Sequence, residues 1–386
     1  MSEAKRKIES HIKMTSFTIH RAHLLPLLNA AGDVAPRRNT IPILGNVLIT
    51  ADGERLTVRA TDLDRMVTAS APLAECEATG GFTVPALMLR DIVKALPESA
   101  QIAFEMGNQR VVVRSGRSRY QLNWLPESEF PDISPASMSH AFRLPGKALA
   151  DIVGAVDFAI SNEEARFYLN GIYMHVVEEE LRFCATNGHV LGLACMDLPA
   201  FEAGDPAGMP GVILPAEFCS LLRKAGGDGE VLVKVSETKA SIESSAGDIA
   251  TEILSKMIDG TFPDYVRVIP QGNANCWRVD AAAVAGAARR AALVIPDKSK
   301  GLTLALCDGR LEITASSLEA GEGKEEIAAT CEEGGDASIG FASNYLRNVM
   351  AAIGGDAVMQ IGGPGDPARF GRPGLRSDYV IMPIRR

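Results

Sequence analysis

The chain repeats itself three times, and this limits its fold more than any other feature. Residues 17–31 (FTIHRAHLLPLLNAA), 142–156 (FRLPGKALADIVGAV) and 277–291 (WRVDAAAVAGAARRA) each start at an aromatic residue, run as a short strand and enter a helix-like stretch. Matched strand pairs follow at 43–69, 169–194 and 301–329, with the turns ADGE, VEEE and CDGR set between apolar alternations. That is hairpin chemistry. A strand then leads into a second helix at 82–96, 212–226 and 339–353, and two more hairpin strands close each unit. The first two units end in FPDI (130–133) and FPDY (262–265). A self-similar period of this kind sets the architecture before any local signal does.

Each unit therefore reads β-α-β-β-β, twice over. Apolar residues recur at helical spacing in Leu89, Ile92, Val93 and Leu96, and in Tyr345, Leu346, Val349, Met350 and Ile353; the strands alternate, as in LTVRA and VVVRS. Two helices on one face of antiparallel sheet predict an α+β fold of three tandem similar domains. The expected boundaries are 14–137, 138–268 and 269–386, after an extension at 1–13 expected to be disordered. The repeat also bears on the stretch ATNGH (185–189), where a His beside an Asn and a Gly resembles a catalytic turn. ATDLD (60–64) stands at the same place in the first unit without a His. The turn geometry therefore belongs to the scaffold, and only the side chains on it are special.

Hydrophobic content of 46% and charged content of 23% are those of an ordinary globular protein. No apolar run is long enough for a membrane span, and the charged N-terminus has no apolar core, so no secretory signal is expected. Seven cysteines without a C-x-x-C point to buried, reduced thiols in a cytoplasmic protein. The net charge of −9 alone argues against a nucleic-acid binder. Its distribution argues the other way. Six aligned helix windows (21–32, 85–96, 145–156, 215–226, 280–291, 342–353) hold nine Lys or Arg against four acids, a surplus of five, leaving −14 for everything else. A helix buries its apolar stripe and turns its charges outward. Three units with helices on a common face would make that face basic, and such a face attracts phosphate without reading sequence. Arg37 and Arg38, and Lys298 and Lys300, follow helices and would add to it.

The two ends of the chain are complementary in charge. VVVRSGRSRYQL carries Arg117 and Arg119 on one face by period two, and SLEAGEGKEEI carries Glu319, Glu322, Glu325 and Glu326. Head-to-tail contacts of this kind close into rings when the rotation permits. The search for chemistry is sparse. There is no P-loop, no G-x-G-x-x-G, no G-x-S-x-G and no H-E-x-x-H, and the six His residues form no pair at ligand spacing. His189 would be the candidate general base, yet nothing supplies it with a nucleophile. No catalytic residue, metal or cofactor is expected.

Several strings, taken together and in order, resemble the bacterial DNA polymerase III beta subunit family, the sliding clamps: RRNTIPILGN (37–46), ATDLD, RSGRSRY (114–120), RFYLNG (166–171), ATNGH, DGTFPDYVRVIP (259–270) and YVIMPIRR (379–386). The resemblance runs from about Met14 to Arg386. It implies a head-to-tail dimeric ring around duplex DNA, with helices lining the inner face and antiparallel sheets forming the outer wall. It implies no enzymatic activity: the ring tethers a polymerase by topology. Implied partners are DNA, the DNA polymerase III core and clamp loader, other polymerases and repair proteins that dock short peptides, and no membrane. Carried over by motif, the peptide pocket would comprise Leu169, Thr186, Gly188, His189, Val190, Leu191, Pro263, Arg267, Val268, Val380, Met382, Pro383, Ile384 and Arg385. DNA contacts would be Arg38 and Tyr168 by motif, and Arg90, Phe167, Arg223, Lys224, Lys298, Lys300 and Tyr345 by charge and position. Dimer edges would set Arg117, Arg119 and Tyr120 against Leu293, Val294 and the Glu319–Glu326 run. The family commonly has a basic residue where this chain has Val190, which changes the pocket rim. Glu217, Ser299 and Ala342 depart from the family's usual residues on the DNA-facing side. Two other function classes stay open at this stage: an enzyme working at His189, and a scaffold that binds proteins but no DNA.

Overall fold

A computed structural model describes residues 16–36, 38, 40–107, 110–133, 137–295 and 301–384. The expectations for residues 1–13, Arg37, Lys298, Ser299, Lys300 and Arg385 lie outside the described residues. Six α-helices fall inside the six windows read from the repeat: α1 (Arg21–Gly32), α2 (Ala86–Ala95), α3 (Gly146–Val156), α4 (Ala216–Ala225), α5 (Ala281–Ala291) and α6 (Ser343–Ile353). Their apolar stripes are buried as the spacing predicts: Leu89 and Val93 in α2, and Leu346, Val349, Met350 and Ile353 in α6. Burying such side chains supplies about 1.5–3 kcal/mol each, enough to order helices too short to be stable alone.

The chain divides into two compact units. One comprises residues 1–146, 201–204 and 225–256. It holds a five-stranded antiparallel sheet in the order Glu75–Ala78, Ser16–His20, Gln101–Met106, Arg110–Ser115, Ser118–Asn123. It also holds a nine-stranded sheet. Phe17 stacks on Phe104 with ring centroids 4.9 Å apart, and Phe82 closes the cluster at 6.2 Å from each. The first aromatic of the repeat is thus a core residue. The other unit comprises residues 147–200, 205–224 and 257–386, built around a twelve-stranded sheet on which α5 and α6 pack together.

The sheets ignore the repeat boundaries. Ile249–Lys256, closing the second repeat, pairs antiparallel with Arg65–Pro72 of the first. Val190–Asp197 of the second pairs with Ser377–Ile381 at the end of the third. The middle repeat is shared between the two units, its two halves extending the sheets of its neighbours.

Two features depart from the sequence reading. The β-α-β-β-β pattern of the opening half-unit misses a short strand in two repeats, Glu75–Ala78 in the first and Phe201–Ala203 in the second, which flanks the repeat's opening strand. In the third repeat one long strand, Gly321–Glu333, does both jobs: its first half pairs with Arg310–Ser317 and its second with Asn275–Asp280. Three- and four-residue strands bury too little to leave a period-two signal. The second departure is at VVVRSGRSRYQL. Gly116 takes φ +55° and breaks this stretch into a hairpin, so Arg117 sits in the turn and only Arg119 is on a strand, opposite Arg114.

Candidate functional site

The site starts from the ATNGH turn. Thr186 Oγ1 accepts from Gly188 N at 3.1 Å and donates to Val190 O at 2.8 Å. Asn187 Oδ1 accepts from the backbone of His189 (2.9 Å) and Val190 (3.0 Å). The ATDLD turn repeats this bond for bond: Thr61 Oγ1 accepts from Leu63 N and donates to Arg65 O, and Asp62 Oδ1 accepts from Asp64 N and Arg65 N. Asx and hydroxyl side chains that bond their own backbone hold such turns without outside help. What differs is what the turn carries. In the second repeat His189 lies over Tyr345 of α6, near-parallel with centroids 6.1 Å apart, and Asn187 Nδ2 donates to Tyr345 Oη at 3.4 Å.

Beneath this turn lies a cavity of 280 Å³ with mostly apolar walls. Four chain segments meet in it. The segment Glu164–Leu169 gives Arg166, Tyr168 and Leu169; the turn and its following strand give Thr186, Gly188, His189, Val190 and Leu191; Pro263–Val268 and the C-terminal strand give Pro263, Asp264, Tyr265, Val268, Val380 and Met382. Leu169, Leu191 and Val380 are also members of a buried cluster with Phe262, Tyr265 and Ile269, so the cavity floor is the core itself. Val268 and Met382 are 47% and 38% exposed and form the upper wall. Met382 is tied down by its N–H, which donates to His189 O at 2.8 Å. Concave, preformed and apolar with few polar groups is the form of a ligand or peptide pocket.

The polar rim is built from two ion pairs. Arg166 is held by Glu163 at 2.5 Å, and Arg267 by Asp264 at 2.7 Å. Bonding to Arg166 lowers the Glu163 carboxyl below its ordinary pKa. Exposed pairs of this sort contribute about 0–1 kcal/mol to stability; their importance is orientation. Behind the floor, Tyr173 stacks between His175 and Phe262, at 4.4 and 5.0 Å, and His175 Nε2 lies 3.1 Å from Tyr265 Oη. Burial pushes the His175 imidazole down to about 4, with the Arg182 charge adding to the effect.

Ten of the residues carried over by motif line this one cavity: Leu169, Thr186, Gly188, His189, Val190, Leu191, Pro263, Val268, Val380 and Met382. Arg267 turns toward Asp264 and, with Pro383 and Ile384, is not among the lining residues. Four lining residues were not on that list: Arg166, Tyr168, Asp264 and Tyr265. Among the residues read as DNA contacts, Tyr168 lines the cavity and Tyr345 supports His189. Arg90 pairs with Asp91 at 3.0 Å and Arg223 with Asp157 at 2.5 Å. Arg38 and Lys224 are exposed, and Phe167 is 52% exposed. Of the residues read as dimer edges, Arg117, Arg119, Glu319 and Glu322 are exposed, Tyr120 and Val294 half-buried, and Leu293 74% exposed. Glu325 and Glu326 already have partners in their own chain, Arg290 at 2.6 Å and Arg310 at 3.3 Å.

Three tandem α+β repeats on one plan, with an apolar pocket lined from the second and third, are the architecture of a DNA clamp. Sequence models of the DNA polymerase III beta subunit N-terminal, central and C-terminal domains match residues 15–134, 143–264 and 266–385. The beta sliding clamp of Caulobacter vibrioides (strain NA1000 / CB15N) is 39% identical over 382 residues, 95% of this chain and 99% of the relative. That of Escherichia coli K12 is 33% identical over 96% of this chain and 99% of its own. The sliding clamp of Bartonella birtlesii, solved bound to griselimycin, superposes with a TM-score of 0.90 at 34% identity, covering 97% of this chain and all of that one. The chain belongs to the DNA polymerase III beta subunit family, the bacterial sliding clamps.

Proposed function

We propose that the protein acts as a homodimeric ring, in the cytoplasm, that encircles duplex DNA and holds DNA polymerase III and other replication and repair proteins to it. The observation that carries this reading is the preformed cavity under the ATNGH turn, which suits a short apolar peptide and supplies no chemistry. The Thr186 hydroxyl is spent on the turn's own backbone, and the His189 ring lies against Tyr345. With that hydroxyl spent, His189 has no free serine, threonine or cysteine nucleophile to activate among the described lining residues. Partners dock their peptides here while the basic helix surplus faces the duplex; phosphate contacts of this kind are sequence-blind and weak enough to permit sliding.

Ring closure is supported by two sheet edges that are unpaired among the described residues. Ser118–Asn123 is the last strand of its sheet and carries Arg119. The first half of Gly321–Glu333 pairs on one side only and carries Glu322. Free edges of opposite charge are templates for edge-to-edge pairing between protomers. The non-catalytic reading is tested by His189→Ala. Ester and phosphodiester hydrolysis should be absent in both wild type and variant, while clamp-dependent primer extension falls. Hydrolysis abolished by the substitution would overturn it.

A further inference from the structure

One sheet face carries two cavities, and the segment around Tyr265 divides them. Along Val190–Asp197, Leu191, Leu193 and Cys195 alternate onto the same face. Val380 stands opposite Leu191 on the neighbouring strand, and Asp378 opposite Leu193. Leu191 and Val380 line the cavity under the ATNGH turn. Leu193, Cys195 and Asp378 line a second cavity, of 390 Å³. Tyr265 lines both, so its side chain is the wall between them. Its hydroxyl lies 3.1 Å from His175 Nε2 and is hydrogen-bonded to Arg182, a lining residue of the second cavity.

The second cavity differs from the first in its charge. Three guanidiniums line it, those of Arg182, Arg369 and Arg376, against two carboxylates, Glu180 and Asp378. Glu180 serves two of the three: it accepts from Arg182 Nε at 2.8 Å and from Arg376 Nη2 at 2.6 Å. Asp378 accepts from Arg369 Nε at 2.7 Å. The lining is therefore one carboxylate short. Asp197 makes up the deficit from outside: it pairs with Arg376 but does not line the cavity, and its side chain is 93% exposed. A pair so exposed contributes little, so an incoming carboxylate takes its place at small cost. Arg376 Nε and Arg369 Nη1 have no partner among the described residues and remain to receive it. Two exposed apolar residues, Val266 and Leu375, stand in the same lining. This combination fits an acidic residue with an apolar neighbour.

We propose that the second cavity is a docking site for an acidic residue and the apolar residue beside it, carried by the same partner chain whose peptide fills the first cavity. Continuity through Tyr265 and the guanidinium surplus carry this assignment, which rests on the first cavity being the peptide-docking site. The test uses labelled, amidated peptides and the intact protein, read by fluorescence anisotropy. A short hexapeptide with an apolar Leu-Phe pair probes the first cavity alone. Longer peptides add, at one end or the other, a spacer of about six Gly and Ser residues, spanning about 13 Å, and then Asp-Leu or Asn-Leu. For one of the two ends, the Asp peptide should bind at least about fivefold tighter than both the short peptide and its Asn counterpart, because the tether raises its effective concentration at the second cavity. Arg369→Gln and Arg376→Gln should each remove most of that gain and leave the short peptide's affinity unchanged, which also shows that the variants are folded. Asp197→Asn removes the competing carboxylate and should enlarge the gain about twofold or more. Equal affinity of Asp and Asn peptides at both ends overturns the proposal, as does a gain that both Arg variants leave intact. Met382→Ala distinguishes this failure from that of the first cavity. If it weakens the short peptide while the Asp extension adds nothing, only the second cavity falls. If it leaves the short peptide's binding intact, the docking reading falls and this inference with it.

Discussion

Leu63 and Gly188 hold the same left-handed position, φ +81° and +86°, in two copies of one hydrogen-bonded turn. The first repeat places a branched side chain where L-residues are rarely at ease; the second uses glycine, and the guanidinium of Arg166 occupies the space a side chain would need. The two turns should therefore respond differently to the same exchange. Gly188→Leu should cost about 1–3 kcal/mol in urea denaturation and abolish peptide binding, whereas Leu63→Gly should change stability by less than about 1 kcal/mol. Equal costs at the two positions would mean the cavity places no demand on residue 188.

Leu169 and Met382 line the same cavity but differ in burial, 4% against 38% exposed. Leu169→Ala removes core as well as pocket and should destabilise by about 2–4 kcal/mol. Met382→Ala should weaken peptide binding at least fivefold, as measured by anisotropy, while costing under about 1 kcal/mol. The second variant is the clean probe of docking.

His175 gives the fold an acid-sensitive component. Its folded pKa, about 4, is below the ordinary value of 6.5 because burial disfavours the charged ring. Between those values the unfolded chain binds a proton that the folded chain refuses, so stability falls as pH falls from about 6.5 to about 4, then levels off. His175→Gln keeps a bond to Tyr265 Oη without a titrating ring. Denaturation at pH 7.0, 5.5 and 4.5 should show the variant losing less stability than wild type across the window, by a slope approaching one proton.

Arg119 lies on an edge strand, and Leu293 is 74% exposed next to α5. Arg119→Glu and Leu293→Asp should each shift the protein from dimer to monomer in light scattering at micromolar concentration. An unchanged mass in both variants would remove these edges from the interface.

The threefold repeat and the six helices were legible because each follows a rule of spacing, whereas the apolar residues of the cavity were legible only through the family resemblance. Val349 and Ile353 announce α6 by helical period, and Thr186 and Leu191 announce the turn by its likeness to residues 60–64. The motif took only Leu169 from the kinked 3₁₀ segment Glu164–Leu169 into the cavity; Arg166 and Tyr168 were not placed there, and no period on such a segment fixes the direction of a side chain. Arg117 was read as a strand residue because alternation continues through Gly116, and only the positive φ there reveals the turn. The joining of Ile249–Lys256 to Arg65–Pro72 is a pairing between residues far apart in sequence, which no local pattern encodes.

The central claim is that the grip on DNA is enclosure. It is tested most directly by loading the protein onto nicked circular DNA with a clamp loader, cutting half the sample at one site, and separating bound from free protein by gel filtration at 0.2 M salt. Enclosure predicts retention on the circle and release from the linear form, because a sliding ring runs off free ends. Equal retention on both forms would contradict it and leave the protein as an ordinary surface binder.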